Sequence, residues 1–124
     1  MWMRCNPNPA HKNVPDCVIR AVCIALNMRW LDVFDDLSAV ARSEFSVTVD
    51  DDVWGKYLYR IGFEPFLLPE SCPRCVTVRA FTRYFPRGTY IIGTGTHAVA
   101  VVDGDYYDSW DCGNMVPSFF WKIR

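Results

Sequence analysis

Asp16-Cys17-Val18-Ile19-Arg20-Ala21-Val22-Cys23-Ile24-Ala25-Leu26 is the stretch that decides how this chain is read. Its apolar run predicts a helix from Cys17 to about Asn27. Arg20 is its only interior charge, and a helix apolar almost all round is a buried one. Asp16 stands where a helix cap belongs. The residues before it hold Asn6-Pro7-Asn8-Pro9 and Val14-Pro15, and proline at that density means extended or turn structure. Cys17 therefore opens the helix. There the free N–H groups and the helix dipole favour a thiolate over a thiol. The adjacent Asp16 charge opposes this unless the carboxylate is engaged elsewhere. Cys23, deeper in the same helix, reads as a small inert core residue.

Working outward, Trp30, Leu31, Phe34, Leu37 and Ala41 recur at three- and four-residue steps, which predicts a helix from Trp30 to about Phe45. A third helix is expected after Asp50, stopped at Gly62. A fourth should run from Val78 to Phe85, capped by Thr77 and stopped by Pro86. Phe63 to Leu68 reads as extended. After Gly88 the texture becomes β-branched and aromatic. Strands are expected at Thr89–Gly93, His97–Val102, Tyr106–Trp110 and Phe119–Ile123. Asp103-Gly104 signals a two-residue hairpin turn. Helices first and strands after indicate one α+β domain over residues 1–124, with an antiparallel sheet.

The strand Thr96-His97-Ala98-Val99-Ala100-Val101-Val102 is apolar on both faces, as in a central strand. Its histidine is either a satisfied strand-end residue or a general base. A hairpin turning at Asp103-Gly104 pairs residues whose numbers sum to about 207. That sets His97 near Trp110, with Asp108 two residues away on the neighbouring strand. Asp108 and Asp111 are both placed to hold the second ring nitrogen. Thiol, imidazole and carboxylate are the parts of an activated cysteine nucleophile.

Composition narrows the remaining classes. Thirteen basic residues against fourteen acidic ones, with no long basic run, give no electrostatic support for nucleic acid. No run approaches about 18 apolar residues, so no membrane span is expected. The first residues lack the apolar core of a signal peptide. Six cysteines are therefore expected as reduced thiols in a cytoplasmic protein. No cofactor is expected. Cys72-Pro73-Arg74-Cys75 has metal-ligand spacing, which Cys112, Cys5 or His11 could complete; a loop with two thiols, or a redox pair, is the plainer reading. Arg20 is expected to pair with a buried carboxylate such as Asp103 or Asp111.

At these residues the chain resembles the papain superfamily of cysteine peptidases. Asp16-Cys17 opening a long helix is similar to the family's nucleophile helix. His97-Ala98-Val99-Ala100-Val101 resembles the segment around its catalytic histidine. Asp108-Ser109-Trp110 resembles its Asn-Ser-Trp element. Over most of the chain, Asn6-Pro7, Asp16 to Ala21, Gly88-Thr89-Tyr90, His97 and Asp108 to Asp111 also resemble small proteins encoded by phages and prophages of gut Gram-positive bacteria. That second resemblance implies no particular substrate. The superfamily resemblance implies a hydrolase of peptide or isopeptide amides. Cys17 would be the nucleophile, His97 the base, Asp108 its orienter and Trp110 the cover. The glutamine that usually precedes the nucleophile and donates to the oxyanion is replaced by His11, so His11, Asn13 or Asn6 would take that role. The Cys-to-His interval is shorter than the roughly 130–150 residues of papain. A binding protein that keeps the fold without catalysis, such as a phage-encoded inhibitor of a host protein, is the other reading.

Overall fold

The computed structural model describes residues 1–68 and 76–124. The Cys72/Cys75 pair lies outside the described residues. Among the described residues, four helices and a six-stranded mixed sheet make an α+β fold. Strand β1 (Trp2–Arg4) comes first, then helices α1 (Cys17–Leu26), α2 (Trp30–Ser43) and α3 (Asp51–Arg60). Strand β2 (Phe63–Leu67) and helix α4 (Val78–Tyr84) follow. The chain then forms β3 (Thr89–Gly93), β4 (Ala98–Val102), β5 (Asp105–Asp108) and β6 (Phe119–Ile123). The spatial order is β1-β5-β4-β3-β6-β2.

The expected antiparallel sheet needs one correction, because β1 pairs parallel with β5. Three residues inside a Pro- and Asn-rich leader carry no strand pattern of their own. What recruits them is the open edge of β5, whose backbone groups need partners.

The β4–β5 hairpin has the expected register, with Ala100 opposite Tyr107 and Val102 opposite Asp105. Asp103 and Gly104 both take positive φ, 48° and 83°, as a type I′ turn demands. Asp103 also accepts the Gly88 N–H at 2.9 Å. The strand proper begins at Ala98, so His97 stands just outside the ladder. Likewise β5 ends at Asp108, leaving Ser109 and Trp110 beyond it.

Alternation along β4 separates two cores. Ala98 and Ala100 join Ile19, Val22, Leu37, Val53 and Leu58 under the α1–α3 layer. Val99 and Val101 join Val78, Phe81, Tyr106 and Cys112 on the α4 side. Small alanines on β4 let α1 lie close against the sheet. Burying residues such as Ile19 and Val22 contributes about 1.5–3 kcal/mol each.

Gly93 ends β3 where the backbone of His97 crosses above it. A Cβ there would run into the His97 carbonyl and lie 3.0 Å from its carbon. The neighbouring Thr94 N–H donates to that same carbonyl at 2.9 Å. Gly93→Ala is therefore expected to cost about 1–3 kcal/mol, as overpacking does, and to displace His97. A denaturant melt with an unchanged midpoint would contradict this account of the His97 turn.

Candidate active site

Three elements deliver the three groups: the first residue of α1, the residue before β4, and the last residue of β5. Cys17 is half-buried at the mouth of a cavity of about 380 Å³. His97 Nε2 and Asp108 Oδ2 are 2.5 Å apart. With Nε2 engaged, Nδ1 is the nitrogen left for the thiol. Trp110 packs on the ring, with centroids 5.2 Å apart. At 49% exposed, it covers one side of the pair and meets solvent with the other.

Asp108 is itself held in place. Its Oδ1 accepts the Ser109 N–H at 2.7 Å and lies 3.8 Å from the Arg20 guanidinium. Its main-chain carbonyl accepts from Trp2 Nε1 at 3.2 Å and from the Cys5 N–H at 3.0 Å. Strand β1 thus braces Asp108.

Electrostatics favour a thiolate facing an imidazolium. Burial pushes the Cys17 thiol up from its ordinary value. Hydrogen bonds from His97 and the Ala98 backbone, and the charges of His97 and Arg20, outweigh burial and hold it low. Burial alone would depress the His97 pKa. Hydrogen bonds with Asp108, Cys112 and Cys17, and the Asp108 charge, carry it well above the usual histidine value. Cys23 moves the other way, pushed up to about 11 by burial and by the charge of Asp16. It is the inert thiol of the two in α1.

Asp16 holds the N-cap position of α1, as expected, but its carboxylate is not what caps the helix. Its side chain accepts no helix N–H. Instead its Oδ2 accepts from Trp30 Nε1 at 3.0 Å and from Asn8 Nδ2 at 3.3 Å. Its Oδ1 lies 3.2 Å from Arg20 Nε, without hydrogen-bond geometry. The first-turn N–H groups are left open. The carboxylate beside Cys17 is offset by a guanidinium instead of a cap.

Arg20 also corrects the expectation of Asp103 or Asp111. It bridges Asp16 and Asp108 and donates to Ser109 Oγ at 2.8 Å. Asp103 is occupied by Gly88. Asp111 accepts from Tyr106 Oη and the Gly113 N–H, which also removes it from contention as the His97 orienter.

His11 and Asn13 are exposed, and neither lines the cavity beside Cys17. The structure does not bring them into the cluster. The leader turns at Asn8, which is buried and tethered to Asp16. Asn8 Oδ1 accepts the Ala10 N–H, and the Asn8 carbonyl accepts the His11 N–H. That turn sends the next residues outward. Asn8 and Cys112 are the site-supporting residues that sequence reading did not single out for these places. An Asn between two prolines marked only a turn.

Among the described residues no helix is long and apolar enough to cross a membrane. Compared with known proteins, the chain matches no family model, no curated protein and no solved structure.

Proposed function

We propose that this chain is a compact papain-like cysteine hydrolase that cleaves a peptide or isopeptide amide through an acyl-enzyme. The observation that carries the reading is the alignment of Cys17, His97 and Asp108, with the thiol held low and the ring held protonated. The Cys17 thiolate attacks the carbonyl carbon. The oxyanion meets the open N–H groups of the first turn of α1, which have no intrahelical acceptor. His97 gives its Nδ1 proton to the leaving amine as the C–N bond breaks. Neutral His97 then takes a proton from water, whose oxygen attacks the thioester, and the thiolate is released. Asp108 keeps the ring in the orientation both transfers need.

Val18, Ile19, Leu37, Val49 and Trp54 line the cavity next to Cys17. An apolar substrate side chain fits such a wall. The direct test uses a p-nitrophenyl ester of N-acetyl-leucine. The expected result is a burst of one nitrophenolate per chain followed by slower continued release, with the acyl group located on Cys17 by peptide mapping. A chain that releases no burst, or that is acylated elsewhere, is not this enzyme. Val49 is 60% exposed at the rim, where substitution spares the core. Val49→Asp should lower kcat/KM for this ester about tenfold, the scale of one mismatched apolar contact, and leave Cys17 alkylation by iodoacetamide unchanged.

One observation favours the second reading, a scaffold that binds without catalysis. Of the expected oxyanion side chains, His11 and Asn13 both stand away from the cavity. Nitrophenolate release that stops at one equivalent without later turnover would support it.

A further inference from the structure

A second thiol reaches the same imidazole. Cys112 is buried beside His97 and Asp108, and burial pushes its thiol up from the ordinary value. One ligand atom each from His97, Asp108 and Cys112 lies within 4.8 Å of the other two. Nitrogen, oxygen and sulfur converging at a buried point form a donor set suited to zinc, with three protein ligands and one position left over. In the hydrolase chemistry Cys112 only helps keep the His97 ring protonated and takes no part in bond making or breaking.

The loop carrying Cys112 is fixed in place before any ion arrives. Asp111 Oδ1 accepts the Gly113 N–H at 3.0 Å. The Cys112 carbonyl accepts the Met115 N–H at 2.9 Å, and the Gly113 carbonyl accepts the Arg79 N–H at 3.0 Å. Cys112 belongs to the same buried apolar cluster as Val78, Phe81, Val99 and Val101, which limits water. Asp108 divides its oxygens: Oδ1 takes Ser109 and faces Arg20, while Oδ2 faces the ring.

We propose that His97 Nε2, Asp108 Oδ2 and the Cys112 thiolate form a site for one Zn²⁺ ion, separate from the Cys17 thiol. Bond lengths of about 2.0–2.3 Å place tetrahedral ligand atoms roughly 3.3–3.8 Å apart. The Nε2–Oδ2 separation must therefore open, and the sulfur must move in by about an ångström or less, within reach of side-chain rotation. The proton between Nε2 and Oδ2 and the Cys112 S–H proton leave to solvent. Zn–N, Zn–O and Zn–S bonds form, and water takes the fourth position. One carboxylate and one thiolate balance the charge of the ion. The site stands whether or not Cys17 is a nucleophile, but an ion bound there takes both atoms of the His97–Asp108 contact, so zinc loading and hydrolysis exclude each other.

The full chain, stripped by chelator, would be titrated with Zn²⁺ against a chromogenic chelator and with Co²⁺ as a spectroscopic probe. One ion per chain and a thiolate-to-cobalt charge-transfer absorption are expected. Cys112→Ser and Cys112→Ala should each weaken zinc by about 100-fold or more and remove that absorption. Circular dichroism would check that at least one of the two stays folded. Cys17→Ala, and the Cys72→Ser/Cys75→Ser double variant, should keep the absorption. The proposal is overturned by a folded Cys112 variant that binds as the native chain does. Loss of the absorption in Cys17→Ala or in the double variant also overturns it, as does failure to bind Zn²⁺ at micromolar concentration. Nitrophenolate release is not read, so failure here leaves the hydrolase reading standing.

Discussion

His97→Ala is expected to shift the pH midpoint of Cys17 alkylation upward, to 9.0 or beyond, and to slow alkylation at pH 7 about tenfold or more. The sign follows from the forces on the thiol. Burial raises its pKa from the ordinary 9.0, and the largest opposing influence is the His97 hydrogen bond. Without the ring, only the Ala98 backbone and Arg20 still oppose burial. A thiol of pKa near 9 is only about 1% ionised at pH 7. Its thiolate is the better intrinsic nucleophile, which returns part of the lost rate. The midpoint is therefore the cleaner readout. In the native chain, reactivity should rise with pH at clearly lower values, because the proton leaves sulfur while the imidazolium is still present. Iodoacetamide labelling followed by peptide mapping at Cys17 makes the measurement. A native midpoint at 9 or above, or coincident profiles for the two chains, would remove the basis for an activated nucleophile.

Arg20→Met is expected to destabilise the fold by about 3–5 kcal/mol, the usual cost of removing one partner from a buried ionic cluster. Arg20, Asp16 and Asp108 are all buried. The guanidinium lies 3.2 Å from one carboxylate and 3.8 Å from the other. Methionine roughly keeps the volume, so packing changes little. What it leaves is the buried Asp16 carboxylate with no cation beside it, and Asp108 with the His97 ring alone. At this chain length each kcal/mol moves Tm by several degrees, so a fall of about 10 °C or more should appear in a thermal melt. Arg29→Ala is the control. Its ion pair with Asp32 is largely exposed, and pairs of that kind contribute little. An Arg20→Met chain that melts with the native one would show that the cluster carries no structural weight.

Local signals were legible in the amino-acid sequence, and contacts across long separations were not. The apolar run after Cys17 marked α1 to within a residue of its end, where Asn27 takes the left-handed conformation. Asp103-Gly104 set the hairpin register, and the register set Asp108 two positions from the residue facing His97. Those are nearest-neighbour effects of the chain. Asp16 illustrates the other kind. Its capping role depended only on its own helix. The indole of Trp30, the amide of Asn8 and the Arg20 guanidinium won its oxygens through packing that no spacing rule encodes. β1 was missed for a similar reason, since its pairing is dictated by β5, a hundred residues away. Cys112 reaches His97 only because the Asp111–Met115 loop folds back under α4.

The sulfur at the head of α1 precedes its imidazole by most of the polypeptide. During synthesis on the ribosome, Cys17 would emerge early as an ordinary, unarmed thiol. The α1 surface meant for β4 would wait uncovered until the hairpin left the exit tunnel. In the proposed hydrolase, activation of Cys17 would then wait for the β4–β5 hairpin to join the sheet. A nascent or proteolytically shortened chain lacking β4 would carry Cys17 without its reactivity.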